Sequence, residues 1–400
     1  MPDAVIVATG RTPIGRANKG SLVSCRPDSL TALVIKEVLA KVPELDPALI
    51  EDVMIGCGQP AGEAGYNVAR VAAVLAGIDV PGVTVNRYCS SSLQTIRMAA
   101  HAIRAGEGDV FLAGGVETVS RFQFGASDTG PHNPAFADAE ARTAARNPAV
   151  TEPWTPPKGL SDVYIAMGQT AENVAEYEKV TREEMDEFAA RSQNRAVESQ
   201  KNGFFEREII PVTLDDGTVV TKDDGPRDGT TIEGLAALKP VFREGGTITA
   251  GNACPLNDGA AAVIVMSESK ASELGITPLA RIVSSGVSAL DPEIMGLGPI
   301  QACRQALKRA GKTIDDIDLV EINEAFAAQV IPSAKHLGID WAKLNVKGGS
   351  IALGHPFGMT GARIMTTLLN ALDDENKTWG LESMCVGGGQ GMAMVVERLS

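Results

Sequence analysis

Histidine, aromatic residues and excess positive charge are scarce in this chain of 400 residues. It has four histidines, 4% aromatic residues and a net charge of −14. A chain this acidic lacks the basic surface that binds nucleic acid or an anionic membrane, so we expect neither as a main partner. No apolar run is long enough to span a membrane, and a strand-like run at Ala4–Ala8 begins where a signal peptide would lie. We therefore expect no membrane span and a cytoplasmic location.

Paired cysteines are also missing. The six cysteines are scattered, without the Cys-x-x-Cys spacing of metal or redox sites. This usage is typical of free thiols in a reducing compartment, and we expect no metal site. The cysteines are Cys25, Cys57, Cys89, Cys254, Cys303 and Cys385.

The order of the predicted elements indicates an α/β protein built from two related halves. Strand-like and helix-like segments alternate from the N-terminus, which predicts parallel βαβ units. The order recurs downstream, where Arg281–Ser284, Pro299–Ala310 and Asp318–Ile322 match an early strand, helix and strand. We predict an N-terminal half formed by 1–122 plus 248–274, and a C-terminal half at 275–400. The earlier strands are Val5–Ala8, Asp52–Ile55, Val83–Val85 and Asp109–Ala113.

The proline-rich stretch 123–247 breaks the alternation. We predict an inserted, largely irregular loop domain here, since so long a loop is normally functional. Two helices are expected within it, Gly168–Glu178 and Arg182–Lys201, with Thr181 capping the second.

Cys89 lies between a predicted buried strand, Val83–Val85, and a predicted helix. The three serines that follow, Ser90–Ser92, are expected to cap the first turn of that helix. A thiol at a helix N-terminus ionises more easily, so Cys89 is a candidate nucleophile. The alternative is a buried structural cysteine.

Three later segments carry further candidates. His355 lies in the glycine-rich run Lys347–Gly358 and is either functional or simply packed. Cys385 precedes a run of glycines that lacks dinucleotide-loop spacing, and we predict a strand–turn–strand there. Asn323 directly follows the strand Leu319–Ile322 and on its own could be a solvated polar residue.

Together these segments resemble the thiolase family in motif and in order. The motifs are Asn-Arg-Tyr-Cys89-Ser-Ser, Asn323-Glu-Ala-Phe-Ala, Gly354-His355-Pro and Cys385-Val-Gly-Gly-Gly-Gln-Gly, with supporting matches at Met167–Asn173 and Thr249–Ala253. The resemblance runs from Ala4 to Glu397. It implies a five-layer αβαβα fold with an inserted loop domain, a homodimer or homotetramer, and activity on 3-oxoacyl-CoA.

Cleavage of a carbon–carbon bond beside a thioester needs a nucleophile and proton carriers. Cys89 is the natural nucleophile and His355 its base, while Cys385 can protonate the departing enolate. The resemblance implies that His355 and a water held by Asn323 bind the enolate oxygen. It also implies that the N–H groups of Cys89 and Gly387 bind the tetrahedral oxyanion. Coenzyme A is a substrate, and neither metal nor redox cofactor is needed.

The resemblance also implies a pantetheine tunnel with an apolar lining. Arg227 matches a family residue near the nucleotide end of coenzyme A, although it could equally be a solvated loop charge. Cys254 stands where many members have serine, and we expect it to pack or make a weak polar contact. The implied lining residues are Met167, Phe242, Ala250, Cys254, Ala325 and Phe326.

Two departures from short-chain biosynthetic thiolases bear on the reaction. Those members tend to have histidine where this chain has Ala166, and methionine after the serine that corresponds to Ser120. We therefore expect a degradative 3-ketoacyl-CoA thiolase, as in fatty-acid β-oxidation. The first alternative is a biosynthetic acetyl-CoA acetyltransferase. A ketosynthase-type condensing enzyme, an inactive binding protein of the same fold and a thiol redox protein are the others.

Overall fold

The computed structural model describes residues 2–146 and 153–400. The predicted strands and helices are all present, with ends shifted by a few residues. The first half contains β1 (Ala4–Arg11), β2 (Gly15–Arg16), α1 (Pro27–Ala40), β3 (Asp52–Gly56), α2 (Val68–Ala76), β4 (Gly82–Val85), α3 (Ser91–Ala105) and β5 (Val110–Thr118). The stretch before the next long strand contains α4 (Ala137–Arg146), α5 (Met167–Glu178), α6 (Arg182–Lys201), β6 (Val212–Thr213), β7 (Val219–Val220) and α7 (Ile232–Ala236). The remainder contains β8 (Asn257–Ser267), α8 (Glu268–Leu274), β9 (Ala280–Ala289), α9 (Gly298–Ala310), β10 (Leu319–Ile322), α10 (Ala327–Leu337), α11 (Ser350–Leu353), α12 (Thr360–Asp374), β11 (Trp379–Val386) and β12 (Gln390–Arg398).

The main sheet repeats one pairing pattern about its middle. Its strand order is β10-β11-β12-β9-β1-β8-β5-β3-β4, with β2 beside β8. Counted outward from the centre, β1, β8, β5 and β3 correspond to β9, β12, β11 and β10. Corresponding neighbours pair in the same direction in both halves. Only two residue pairs join β1 to β9, so the sheet is two related sheets meeting at a narrow seam.

Strand direction differs from the sequence prediction. The pairs β3–β4, β3–β5 and β10–β11 are parallel, as predicted for βαβ units. However, β8 and β12 run antiparallel to both of their neighbours. Neither β8 nor β12 belongs to a βαβ unit. A tight turn joins β11 to β12, and the long inserted stretch precedes β8, so both strands can pair antiparallel.

The sheets lie between three helical layers, which gives five layers in all. Helices α1 and α2 cover the outer face of the first sheet, and α9 covers the outer face of the second. Helices α3 and α12 pack against each other between the sheets. Strand residues alternate between the middle and outer cores, with Ile6 facing the middle and Val5 facing outward. Both faces of each sheet are therefore buried, as period-two alternation between two apolar layers requires.

The inserted stretch is more helical than predicted. Helices α5 and α6 match the predicted ranges, and Thr181 forms a capping box with Glu184 at the start of α6. Helix α4 was not predicted. The predicted domain boundaries stay a prediction.

No helix within residues 2–146 and 153–400 is both long and apolar enough to cross a membrane.

Gly361 sets the distance between the two central helices. A β-carbon there would lie 2.3 Å from the backbone nitrogen of Leu93 in α3. Replacing Gly361 by alanine should therefore separate α12 from α3 and destabilise the fold by about 1–3 kcal/mol, although alanine ordinarily favours a helix. The midpoint of urea unfolding measures this. Gly159→Ala is the control, because a β-carbon there meets no atom within 4 Å. Equal midpoints for the two variants would contradict the close packing.

Candidate active site

A strained turn presents Cys89 at the start of α3. The turn covers Tyr88–Ser90, and Tyr88 has a φ of +40° in the left-handed region that non-glycine residues avoid. Two hydrogen bonds hold this conformation. The Tyr88 N–H donates to Oδ1 of Asn86 at 2.8 Å, and the Ser91 hydroxyl donates to the Tyr88 carbonyl at 2.7 Å. The sulfur therefore sits at a fixed position between β4 and α3. Strand β4 is only half-buried, not buried as predicted, because it forms the edge of the sheet.

The serines after Cys89 do not cap α3, so that expectation was wrong. The Ser90 hydroxyl donates to the Arg87 carbonyl at 3.2 Å, and Ser91 Oγ accepts from the Arg87 N–H at 2.9 Å. Ser92 Oγ accepts from the N–H of Ala362 at 2.9 Å, in the first turn of α12. The serines instead tighten the Cys89 turn and join the two central helices.

Cys89 is a neutral thiol at rest, contrary to the expectation of easier ionisation. Burial raises its pKa to about 11, and this outweighs hydrogen bonds to the sulfur from the backbone N–H groups of Gly387 and of Cys89 itself. Glu117 raises the pKa slightly further. Those two N–H groups lie where charge on a group bonded to the sulfur would be stabilised.

The backbone around His355 depends on Asn257, at the start of β8. Asn257 Oδ1 accepts from the His355 N–H at 2.9 Å, and its Nδ2 donates to the Gly15 carbonyl at 3.0 Å. Gly354 has a φ of +113°, and a β-carbon there would lie 2.6 Å from the Asn257 side chain. Glycine is therefore required immediately before His355.

The imidazole of His355 is neutral with its lone pair on Nε2. Thr360 Oγ1 donates to the Pro356 carbonyl at 2.8 Å, so it accepts from His355 Nδ1 at 2.7 Å. Asn323 Nδ2 then donates to His355 Nε2 at 3.2 Å. Burial, and to a lesser degree Arg363, lowers the pKa of His355 to about 3. The ring is thus neutral, and its Nε2 lone pair, which faces Asn323, can accept a proton.

Asn323 is held where β10 ends. Its N–H donates to the Ser383 carbonyl of β11 at 2.9 Å, and its carbonyl accepts from Gln329 Nε2 at 2.6 Å. The residue is 1% exposed, so its carboxamide is not a solvated surface group. The structure brings Asn323 and His355 together, as the resemblance implied.

Cys385 lies near the end of β11, and the predicted strand–turn–strand is present around it. The residue is fully buried. Burial raises the pKa of the Cys385 thiol well above its ordinary value, and the nearby Cys89 and Cys254 raise it further. Burial and then Cys89 also raise the pKa of Cys254. Three protonated thiols therefore lie close together, and all six cysteines are free.

The residues expected to line the pantetheine tunnel mostly meet at one apolar cluster. The Phe242 and Phe326 rings contact edge to face at 6.1 Å, and the Cys254 N–H donates to the Ala325 carbonyl at 3.0 Å. The Met167 sulfur lies 3.7 Å from the point that a β-carbon on Gly387 would occupy. Because the Gly387 N–H contacts the Cys89 sulfur, this cluster extends to Cys89.

Two predicted binding residues lie further out on exposed backbone. Ala250 is exposed in the turn after Thr249. Arg227 is exposed, and its guanidinium has no ion-pair partner among the described residues. Partial burial and repulsion from Arg16 lower its pKa. A second guanidinium, which the sequence did not single out, therefore lies near Arg227.

Glu117 is a buried carboxylate that sequence reasoning missed. Its Oε2 accepts from the N–H of Gly58 at 2.7 Å and of Gly358 at 2.9 Å, and Oε1 accepts from Gln59 at 3.1 Å. Burial outweighs these bonds and raises the Glu117 pKa to about 7. Because Gly358 follows His355 closely in the chain, Glu117 ties the His355 loop to the half that carries Cys89. Its place two residues after Gly114-Gly115, near the end of a strand, was the available signal.

The chemistry that this arrangement supports is covalent acyl transfer through a thiol. Cys89 has backbone donors at its sulfur and a second protonated thiol, Cys385, close enough to interact with it electrostatically, and the second half supplies the neutral imidazole of His355. These groups are the ones that an enzyme carrying an acyl group on cysteine requires, so the site is that of the acyl-transferring class.

Comparison with known proteins gives the family. The profile of the thiolase N-terminal domain matches residues 4–269, and that of the thiolase C-terminal domain matches residues 276–398. The chain is 44% identical to a 3-oxoadipyl-CoA/3-oxo-5,6-dehydrosuberyl-CoA thiolase of Escherichia coli (strain K12), over the whole of both chains. It is also 44% identical to a 3-ketoacyl-CoA thiolase of Saccharophagus degradans, over 99% of this chain and 98% of that one.

A solved structure agrees. The crystal structure of the Bacillus anthracis acetyl-CoA acetyltransferase matches with a TM-score of 0.86 and 40% identity, over 100% of this chain and 99% of that one. The chain belongs to the thiolase family, and it is an acyltransferase. The predicted fold class and family are confirmed. The roles assigned to individual residues stay predictions.

The neutral state of Cys89 predicts how its reactivity depends on pH. Alkylation by iodoacetamide requires the thiolate, so its rate at Cys89 should rise about tenfold per pH unit throughout pH 7–10, below the pKa of about 11. Peptide-resolved mass spectrometry measures the rate, with free glutathione in the same samples as a reference thiol of ordinary pKa. A plateau for Cys89 below pH 8 would indicate a resting thiolate–imidazolium pair and contradict this description.

Proposed function

We propose that this thiolase is a 3-ketoacyl-CoA thiolase, which uses coenzyme A to cleave 3-oxoacyl-CoA into acetyl-CoA and a shortened acyl-CoA. The observation that carries the proposal is a pair of buried thiols, in which Cys89 raises the pKa of Cys385, in a chain whose His355 imidazole is also buried and neutral. One thiol is needed to hold the acyl group and the other to supply a proton.

The first half-reaction forms an acyl-enzyme. The Cys89 proton passes to His355 Nε2 as the sulfur attacks the 3-keto carbon of the substrate. The bond between carbons 2 and 3 then breaks, and its electron pair stays on carbon 2 as the enolate of acetyl-CoA. Cys385 donates its proton to that carbon. Its raised pKa suits this role, because the thiol remains protonated until the enolate forms.

The second half-reaction returns every proton. The Cys385 thiolate takes the proton of the incoming coenzyme A thiol, whose sulfur attacks the acyl group on Cys89. The Cys89 sulfur leaves and recovers its proton from His355. No electron is gained or lost overall, so the proposed reaction needs no redox cofactor, and its proton transfers and oxyanion contacts are assigned to protein groups rather than to a metal.

Two donor sets serve the two anionic intermediates. The N–H groups of Cys89 and Gly387 already lie at the sulfur, which supports their role toward the tetrahedral oxyanion. Protonated His355, with a water held by Asn323, is proposed to bind the enolate oxygen. The contact between Asn323 and His355 supports this second assignment.

Coenzyme A is proposed to approach past the cluster that contains Phe242 and Phe326. Its pantetheine arm would pass Met167, which lies close to Gly387, to reach Cys89. Arg227 and Arg16 would meet the phosphate groups near the nucleotide. Two neighbouring guanidinium groups, of the exposed Arg227 and the partly exposed Arg16, support that assignment, since together they attract a multiply charged anion.

The degradative direction is favoured over synthesis of acetoacetyl-CoA. Ala166 stands at the N-cap of α5, where it is exposed and offers less bulk than histidine would. The two curated relatives described above are named for oxoadipyl and ketoacyl substrates, although the solved neighbour is named an acetyl-CoA acetyltransferase.

A cytoplasmic location is part of the proposal and is supported by six free thiols. A homodimer or homotetramer is also proposed and is supported by the half-exposed edge strand β4.

A steady-state assay tests the proposal. With coenzyme A, the protein should cleave 3-oxoacyl-CoA substrates longer than acetoacetyl-CoA at least as fast as acetoacetyl-CoA. Double-reciprocal plots against the two substrates should be parallel, because the acyl-enzyme forms before coenzyme A reacts. Intersecting lines would contradict the covalent route, and exclusive use of acetoacetyl-CoA would favour the biosynthetic alternative.

Replacing Cys89 and replacing Cys385 should cause different catalytic defects. Cys89→Ala should abolish both acetyl-enzyme formation and cleavage. Cys385→Ala should still take acetyl from acetyl-CoA onto Cys89, but cleavage should fall by about 10²–10⁴, as for loss of a positioned acid–base group. Exchange of the acetyl-CoA methyl protons for deuterium, followed by mass spectrometry, should be lost in parallel. Cys303→Ala, at a buried thiol on α9, is the matched control. Unimpaired cleavage by Cys385→Ala would make Cys385 a structural thiol.

A further inference from the structure

A series of hydrogen bonds connects Arg363 to His355 through Ser350 and Asn323. Arg363 Nη2, on α12, donates to Ser350 Oγ at 2.9 Å. The Ser350 hydroxyl, on α11, donates to Asn323 Oδ1 at 2.6 Å. Asn323 Nδ2 contacts His355 Nε2 at 3.2 Å. Ser350 is fully buried and Arg363 is 1% exposed, so water does not compete for these groups.

The donors and acceptors of these hydrogen bonds follow a single order, from Arg363 to Ser350 to Asn323. A guanidinium can only donate, so Arg363 occupies a lone pair of Ser350 and leaves the hydroxyl hydrogen for Asn323. The oxygen of the Asn323 carboxamide is therefore the atom that faces Ser350. Its N–H group is left to face His355.

The opposite orientation of the carboxamide is disfavoured at both ends. Turned over, Asn323 would direct its oxygen at the lone pair of His355 Nε2. That contact would need a proton on Nε2, although Nδ1 already carries one toward Thr360. The ring would then be an imidazolium in a site whose burial lowers the His355 pKa to about 3. The Ser350 hydroxyl would also lose its acceptor.

We propose that Ser350 and Arg363 are positioning residues that hold the N–H face of Asn323 toward His355, where the enolate oxygen forms. Glu321, Glu208 and Glu324 lie near Arg363, although burial and repulsion from Arg11 leave its pKa lowered. Its Nε and Nη1 atoms have no hydrogen-bond partner among the described residues, so the bond to Ser350 is the one that directs it. The inference rests on the proposed function, because it assigns these hydrogen bonds to the steps of that reaction that pass through the enolate.

This position predicts a selective defect. Acetyl transfer from acetyl-CoA to Cys89 uses the N–H groups of Cys89 and Gly387 and not the Asn323 face. Carbon–carbon cleavage and methyl-proton exchange both pass through the enolate. Freeing the Asn323 carboxamide to turn should therefore slow the enolate steps alone.

Ser350→Ala tests the inference, since it removes the hydroxyl and leaves Arg363 in place. Its kcat for thiolytic cleavage and its rate of deuterium exchange should both fall about 10- to 100-fold, less than the loss of a whole oxyanion donor can cost. The KM for coenzyme A and the rate of Cys89 acetylation by acetyl-CoA should stay within about twofold. Ser333→Ala is the matched control, because Ser333 is fully buried on α10 and its hydroxyl has no partner in the described ranges. It should match the wild type in every rate.

The outcomes separate the inference from the proposed function. Equal losses in cleavage and in acetylation, or no loss in either, would overturn the positioning role. The wild-type rate, measured alongside, tests the proposed function independently, since a wild type that forms acetyl-Cys89 but does not cleave 3-oxoacyl-CoA would overturn the function.

Discussion

Burial of the reacting groups between the two halves is the constraint on which the site depends. Removing a thiolate or an imidazolium from water is costly, so Cys89 and His355 both rest uncharged. In the proposed reaction, charge therefore appears only transiently, at positions where hydrogen-bond donors are already in place. The backbone N–H groups at the Cys89 sulfur and the Asn323 carboxamide beside His355 are such donors, and their positions are fixed before substrate arrives.

The repeated architecture explains how groups distant in sequence reach one place. Cys89 comes from the first half, while Asn323, His355 and Cys385 come from the second. The halves touch through only two residue pairs in the sheet, so polar contacts must align them at the site. Glu117 reaches from β5 to the His355 loop, and Asn257 of β8 holds the His355 backbone. Both therefore hold the His355 loop in position relative to the first half.

The sequence predicted what local patterns and motifs control. Strands and helices followed from hydrophobic periodicity, and the glycine-rich His355 segment followed from its composition. It did not predict the antiparallel course of β8 and β12, because pairing direction depends on long-range topology. Nor did it predict that Ser92 would cap α12, since its partner Ala362 lies far along the chain. The pKa of Cys89 was misjudged because a helix-terminus effect is local, whereas desolvation depends on the whole fold. Thr360 and Glu117 were missed for the same reason, since each is defined by its contacts.

Locating the acyl group tests the central claim most directly. The protein is mixed with acetoacetyl-CoA without free coenzyme A, quenched in acid and digested, and each cysteine peptide is weighed by mass spectrometry. Our description predicts an acetyl group on Cys89 that disappears when coenzyme A is added before the quench. Stable acetylation of Cys385 or Cys254, with Cys89 unmodified, would contradict it.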